Sequence, residues 1–245
     1  RQMLDFKIEF NVPPMPTADN PTGTCVVLTT PDAERTMCTN LGVSVSLSTS
    51  DIDPEQIKRC KYSYVEGYLW TGESTKQACI KAMEDSKREK VKVCFTFSDQ
   101  FLVDLFADDF RQLLSNYCDI LFCNADEARS FCKIESLEES AMKIGELVET
   151  AFITDGKEGC LVVKDKIITS VPGRPATAID TVGAGDALLA YSTMGLLKSK
   201  SIVISAILGT LAASCECEID GNKPIRKELI ISKINKLEKQ IKISV

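Results

Sequence analysis

YSYVE (62–66), ESTKQACIKAMEDSKR (73–88), VKVCFTF (91–97), FLVDLFADDFRQLL (101–114) and DILFC (119–123) follow one another in the middle of this 245-residue chain. The first, third and fifth are short apolar runs of strand length. The second and fourth are longer and carry apolar residues at helical spacing. The rhythm continues through 125–131 and 137–148, which read as helices, to the strand AFIT (151–154). Strands that alternate with helices, and are apolar along their whole length, predict a parallel sheet covered on both faces. The fold class is α/β.

Working outward, GCLVV (159–163) and KIITS (166–170) predict a hairpin turning near Asp165. Helices are expected over 184–198, 202–215 and 227–239. Upstream, 6–10, 23–30 (GTCVVLTT) and 34–40 read as extended pieces, with the Pro-, Thr- and Asn-rich stretch NVPPMPTADNPT between the first two as an exposed loop. These pieces predict a small β flap, within 6–40, ahead of a single domain spanning 1–245.

Composition narrows the chemistry. The apolar share of 44%, charged share of 26% and formal net charge of −6 are those of a globular protein without a basic footprint for nucleic acid or anionic membrane. No apolar run is long enough to span a bilayer. The 11 cysteines form no CxxC pair, and the expectation is reduced thiols in a cytoplasmic protein, with Cys94 and Cys123 as small core residues. There is no histidine, which excludes Ser-His-Asp and Cys-His nucleophilic sites. Proton transfer must fall to a carboxylate, Lys, Tyr or Cys.

The strongest chemical signal is DTVGAGD (180–186), opening the apolar run ALLAYSTMGLL. Glycines at 183 and 185 let successive N–H groups converge, and a helix N-terminus adds unpaired donors and about half a positive charge. That is an anion hole for a transferring phosphoryl group, with Asp186 placed to take a proton from an attacking hydroxyl. A plain glycine turn before a helix is the simpler alternative. Next, NADE (124–127) follows the strand DILFC. Asn124 and Glu127 share one face of a helical turn, where they could hold hydrated Mg²⁺, or they form an N-cap with its capping box. Third, TDGKEG (154–159) offers a Thr hydroxyl and glycine backbone to nucleotide phosphates, or is simply a turn. Asn124 and Thr154 both follow carboxyl ends of strands, where open α/β sheets bind ligands. Walker A, the protein-kinase set and a GxGxxG after a strand are absent from the sequence.

These residues resemble the ribokinase or PfkB family of carbohydrate and nucleoside kinases. IDTVGAGDALLA is similar to that family's C-terminal signature, NADE to its N-x-x-E motif and TDGKEG to its T-x-G-x-x-G segment. The resemblance implies a ribokinase-like three-layer sandwich, with a mainly parallel sheet between helices and a β lid. It makes Asp186 the base and Gly183, Ala184 and Gly185 the anion hole. Asn124 and Glu127 would organise Mg²⁺, and Thr154, Gly156 and Gly159 would line the ATP site. Thr210 stands where many relatives carry an Asn that holds the nucleotide. Asp180 matches a position that helps bind a monovalent cation, such as K⁺, in some members. PTGTCVVLTTPDAERTMCTNLG resembles the lid of the adenosine kinase-like branch, which puts Arg35 and Asn40 near the acceptor.

The expected activity is transfer of the ATP γ-phosphate to a hydroxyl of a nucleoside or sugar. The alternatives are a ribokinase- or fructokinase-type sugar kinase, a non-catalytic nucleotide- or sugar-binding protein on the same fold, and a dehydrogenase using GAGD as a phosphate loop. The expected partner is a small-molecule substrate, with a monomer or a lid-mediated homodimer. The family's N-terminal Gly-Gly signature and early substrate-binding Asp have no counterpart here, so an upstream segment is expected.

Overall fold

The computed structural model describes residues 8–10, 12, 21–30, 35–219, 221 and 223–243. β1 (Thr22–Thr29) and β2 (Arg35–Gly42) form an antiparallel hairpin running from the Thr22–Gly42 pair to Thr29–Arg35. This is the expected flap. Of the expected extended piece at 6–10, Phe6 and Lys7 lie outside the described residues, and 8–10 form no strand. The flap carries Val26, Leu28 and Met37 exposed, because it packs on little of the main body.

The main sheet has six strands in sequence order. They are β3 (Tyr62–Glu66), β4 (Lys92–Thr96), β5 (Ile120–Asn124), β6 (Thr150–Thr154), β7 (Gly159–Lys164) and β8 (Ile167–Pro172). β3 to β6 are parallel, and β6, β7 and β8 are antiparallel. The β7–β8 turn falls at Asp165 and Lys166, both with positive φ (50° and 65°), the conformation of a tight hairpin turn.

Eight α-helices are found among the described residues: α1 (Pro54–Lys58), α2 (Glu73–Arg88), α3 (Gln100–Asn116), α4 (Ala125–Cys132), α5 (Leu137–Ile144), α6 (Ala184–Leu197), α7 (Ile202–Glu216) and α8 (Lys227–Ile243). α5 is shorter than the expected 137–148. The chain turns at Gly145, where a side chain would come within 2.7 Å of Val163.

Alternation along each strand sends side chains to two cores. Val65, Val93, Phe95, Leu121, Cys123, Ala151 and Ile153 face one side with residues of α2, α3, α4 and α5. There Phe95, Phe97 and Phe110 pack with Trp70, whose indole N–H donates to Asp109 at 3.0 Å. Cys94, Ile120, Phe122 and Phe152 face the other side, with Leu188 of α6 and Ala206 of α7. Cys94 and Cys123, expected in the core, are buried on opposite faces. The three layers are helices, sheet, helices. No described helix is long and apolar enough to cross a membrane.

Candidate active site

The register of the parallel strands builds a rim. Glu66 pairs with Thr96, Thr96 with Phe122, and Asn124 with Thr154, so the carboxyl ends of β3 to β6 finish on one edge. A capped helix follows Asn124 directly. Its Oδ1 accepts the Glu127 N–H at 2.8 Å, and Glu127 Oε2 accepts the Asn124 N–H at 2.9 Å. The capping box is therefore formed, and it holds Glu127 at the rim. Glu127 is only 4% exposed, and burial pushes its carboxyl up to about 7 against the pull of the Asn124 N–H.

The opposite wall is the start of α6. Asp180 Oδ1 accepts the Val182 N–H at 2.9 Å, turning the loop. Gly183 then adopts φ +80°, and its carbonyl accepts the Ala187 N–H at 2.8 Å. The Ala184 N–H donates to Thr181 at 3.3 Å, while the N–H groups of Gly183, Gly185 and Asp186 find no acceptor among the described residues. Unspent donors at the end of a 14-residue helix make a cradle for anionic oxygen. Asp186 stands in the first turn with its side chain reaching the surface, and partial desolvation of its carboxyl raises it above the ordinary aspartate value of 3.8.

Two cavities meet at this cradle. One, of about 470 Å³, is lined by Asp186, Gly183, Asn124, Glu127, Glu66 and Tyr64, among others, and includes the stacked rings of Phe122 and Phe152, 4.9 Å apart. The other, of about 590 Å³, is lined by Gly156, Gly159, Ala184, Arg174, Thr210 and Cys217, among others. Thr154, Thr181, Gly185 and Leu188 line both. A molecule in each cavity would face the other across the Gly185 backbone.

The structure thus brings Asn124, Glu127, Gly183, Gly185 and Asp186 together in one cavity, and Gly156, Gly159, Ala184 and Thr210 in the next. Asp180 lies behind the loop, its backbone N–H donating to Cys217 at 3.3 Å. Arg35 is the register partner of Thr29, and the Asn40 side chain accepts the Gly42 N–H at 3.0 Å and lines neither cavity. Among the described residues of the flap, Met37 lines the first cavity.

Sequence reading missed Glu66, Tyr64 and Arg174. One signal was available for Glu66: an acid closing an apolar strand immediately before a glycine. Arg174 sits in irregular chain after β8, where no periodicity marks it.

For Mg²⁺, the donor set fits a partly hydrated ion shared with phosphate. Among the described residues no group of three or more acidic or cysteine side chains could cage a metal, but Glu127 and Asn124 offer hard oxygen at the rim.

A parallel α/β sheet whose rim pairs an anion cradle with a carboxylate defines a phosphoryl-transfer scaffold. The chain belongs to the pfkB family of carbohydrate kinases, whose pattern it matches over residues 11–224. It is 26% identical to the adenosine kinase of Saccharomyces cerevisiae over 222 residues, which is 84% of this chain and 64% of that protein. It is 28% identical to adenosine kinase 2 of Arabidopsis thaliana, covering 82% of this chain and 63% of that one. Among solved structures, it is similar to the adenosine kinase from Sinorhizobium meliloti, with a TM-score of 0.83 at 28% identity, over 89% of this chain and 67% of that one. It is equally similar to a probable sugar kinase from Rhizobium etli CFN 42, with a TM-score of 0.84 at 28% identity, over 89% of this chain and 66% of that one. The chain spans a little under two thirds of the curated relatives' length.

Proposed function

We propose that this protein transfers the γ-phosphate of ATP to a hydroxyl of a nucleoside or sugar, with adenosine as the first acceptor to test. The observation that carries the reading is the meeting of two cavities at the α6 N-terminus, with Asp186 on one side only. ATP occupies the cavity lined by Gly156, Gly159, Ala184 and Thr210, its terminal phosphate reaching the free N–H groups of Gly183 and Gly185. The acceptor occupies the cavity that contains Asp186.

In that arrangement Asp186 accepts the proton of the attacking hydroxyl as its oxygen approaches phosphorus. The cradle N–H groups stabilise the charge on the transferring oxygens, and the β–γ oxygen leaves with ADP. Raised by burial, the Asp186 carboxylate is a stronger base than a solvated aspartate. Glu127 and Asn124 would hold Mg²⁺, which when bound neutralises phosphate charge. Asp180 is the residue we assign to a monovalent cation such as K⁺. The similarity to adenosine kinases from yeast and a plant supports a nucleoside acceptor.

The test is ADP release from Mg·ATP with adenosine, other nucleosides, ribose and fructose, with Asp186→Asn as the control. Turnover on one acceptor that the control loses supports the reading. ATP binding without ADP from any acceptor would instead mark a binding protein.

A further inference from the structure

We propose that Glu66 selects the acceptor, accepting a hydrogen bond from a hydroxyl or amino donor of a neutral molecule and repelling acceptors that already carry phosphate. The inference rests on the kinase reading above and adds a residue and a charge rule to it.

Glu66 is the last residue of β3, and its position is pinned. A side chain on the next residue, Gly67, would come within 2.3 Å of the Phe97 carbonyl oxygen, so the backbones of β3 and β4 touch there. The Gly67 N–H also donates to Ser98 Oγ at 2.9 Å. Two residues earlier on the same face of the strand, Tyr64 lines the same cavity. Glu66 therefore enters the cavity of Asp186 from a rigid strand end rather than from a loop.

The charge around it is one-sided. The cavity is lined by Glu66, Glu127 and Asp186 and, among the described residues, by no Lys or Arg. Glu66 has no cationic partner among the described residues. Burial and the Asp186 charge both raise its carboxyl, as expected for two acids facing one space. A carboxylate in that position can only accept hydrogen bonds. A donor-bearing acceptor satisfies it, whereas a second phosphate beside Glu66 would face the carboxylates of Glu66 and Asp186 with no Lys or Arg of the cavity wall to offset them. Tyr64, Tyr68, Phe122 and Phe152 supply the apolar walls for a ring.

The experiment compares the full chain with Glu66→Gln and Glu66→Asp, using adenosine and ribose as neutral acceptors and fructose 6-phosphate and ribose 5-phosphate as anionic ones. Acceptor affinity is read by titration calorimetry and turnover by ADP release. Thermal unfolding confirms that each variant folds. Loss of one charge-assisted hydrogen bond predicts a rise of about 10- to 100-fold in Kd and KM for the preferred neutral acceptor in Glu66→Gln, with kcat changed little. The same variant should narrow the preference for neutral over phosphorylated acceptors. Glu66→Asp, which keeps the charge but shortens its reach, should weaken binding and keep the rejection.

Unchanged acceptor affinity and unchanged discrimination in Glu66→Gln would overturn the assignment even in an active kinase. So would equal binding of phosphorylated and neutral acceptors by the parent chain, or binding of none. Acceptor binding that depends on Glu66, without any ADP release, would sustain the role of Glu66 and count instead against the kinase reading.

Discussion

Gly183 lies against Glu216. A β-carbon at residue 183 would sit 3.1 Å from the Glu216 Oε1, and Glu216 is itself only 5% exposed at the end of α7. The anion cradle therefore rests on a buried carboxylate, whose pKa is raised by its burial and by the charges of Asp180 and Asp186. Gly183 also holds φ +80°, a conformation that side chains resist.

Gly183→Ala should accordingly fail twice. The left-handed backbone costs about 1–2 kcal/mol with a β-carbon present, and the contact with Glu216 shifts the loop. That shift is a few tenths of an ångström, so kcat should fall, though by less than the roughly 100-fold of a 1 Å misplacement. Phosphoryl-transfer kinetics and thermal unfolding measured on the same preparation check both parts. A variant of parental turnover would show that the N–H groups of this loop do not hold the transferring group.

Asp186→Asn tests the base. It should lower kcat by about 10²- to 10⁴-fold and leave ATP affinity close to that of the parent. The pH profile follows from the same residue. Because burial raises the Asp186 carboxyl above its ordinary value of 3.8, and only the carboxylate accepts a proton, kcat/KM should fall as pH drops through that raised value. An acid limb at or below 3.8 would argue against Asp186 as the group that titrates.

Two glycines of the TDGKEG segment should respond unequally. Gly156 has φ +50° with nothing within 4 Å of its would-be β-carbon, so Gly156→Ala carries only the backbone term, about 1–2 kcal/mol. Gly159 has φ +113°, and its β-carbon would fall 2.2 Å from the Val171 carbonyl oxygen. Gly159→Ala must push β7 away from β8 and should cost about 3 kcal/mol or more. Denaturant unfolding separates the two, and equal costs would contradict the packing described.

Glu149 gives a stability prediction away from the site. It bridges Lys92 of β4, at 2.6 Å, and Lys164 of β7, and those two partners pull its carboxyl down to about 2. A depressed folded-state pKa stabilises above the ordinary value of 4.5, and that stability is lost as pH falls from about 4.5 towards 2. The side chain is 44% exposed, so solvent screening limits the contribution to about 0.5–1 kcal/mol. Glu149→Gln should be less stable than the parent at pH 7 by that amount, with the gap closing at acid pH and at high salt.

Much of the main sheet was legible because each strand is a short apolar run flanked by punctuation. Tyr62–Glu66 and Glu73–Arg88 have the predicted bounds. Elsewhere local signals misjudged extent. α5 reads as helical to Val148, yet it stops at Ile144, because Gly145 must pass close to Val163 of a strand that periodicity cannot see. NADE was readable either as a cap or as a metal-organising pair. The capping box is formed, and it keeps Glu127 facing the cavity, so the two roles are compatible.

By itself, the sequence determined the α/β alternation, the glycine loop before an apolar helix, and the exclusion of histidine from any proton transfer in this chain. Those features are local, set by residue type and spacing along a few turns. Only the tertiary structure decided which side chains share a space. Strand register placed Asn124 beside Thr154, the α6 start put Asp186 and Ala184 on different cavities, and the β3 end turned Glu66 towards Asp186. It also left Asn40 occupied by its own turn and gave Met37 the place on the cavity wall. Proximity across 120 residues, as between Glu66 and Asp186, depends on how sheets and helices pack, and no periodicity within either segment encodes it.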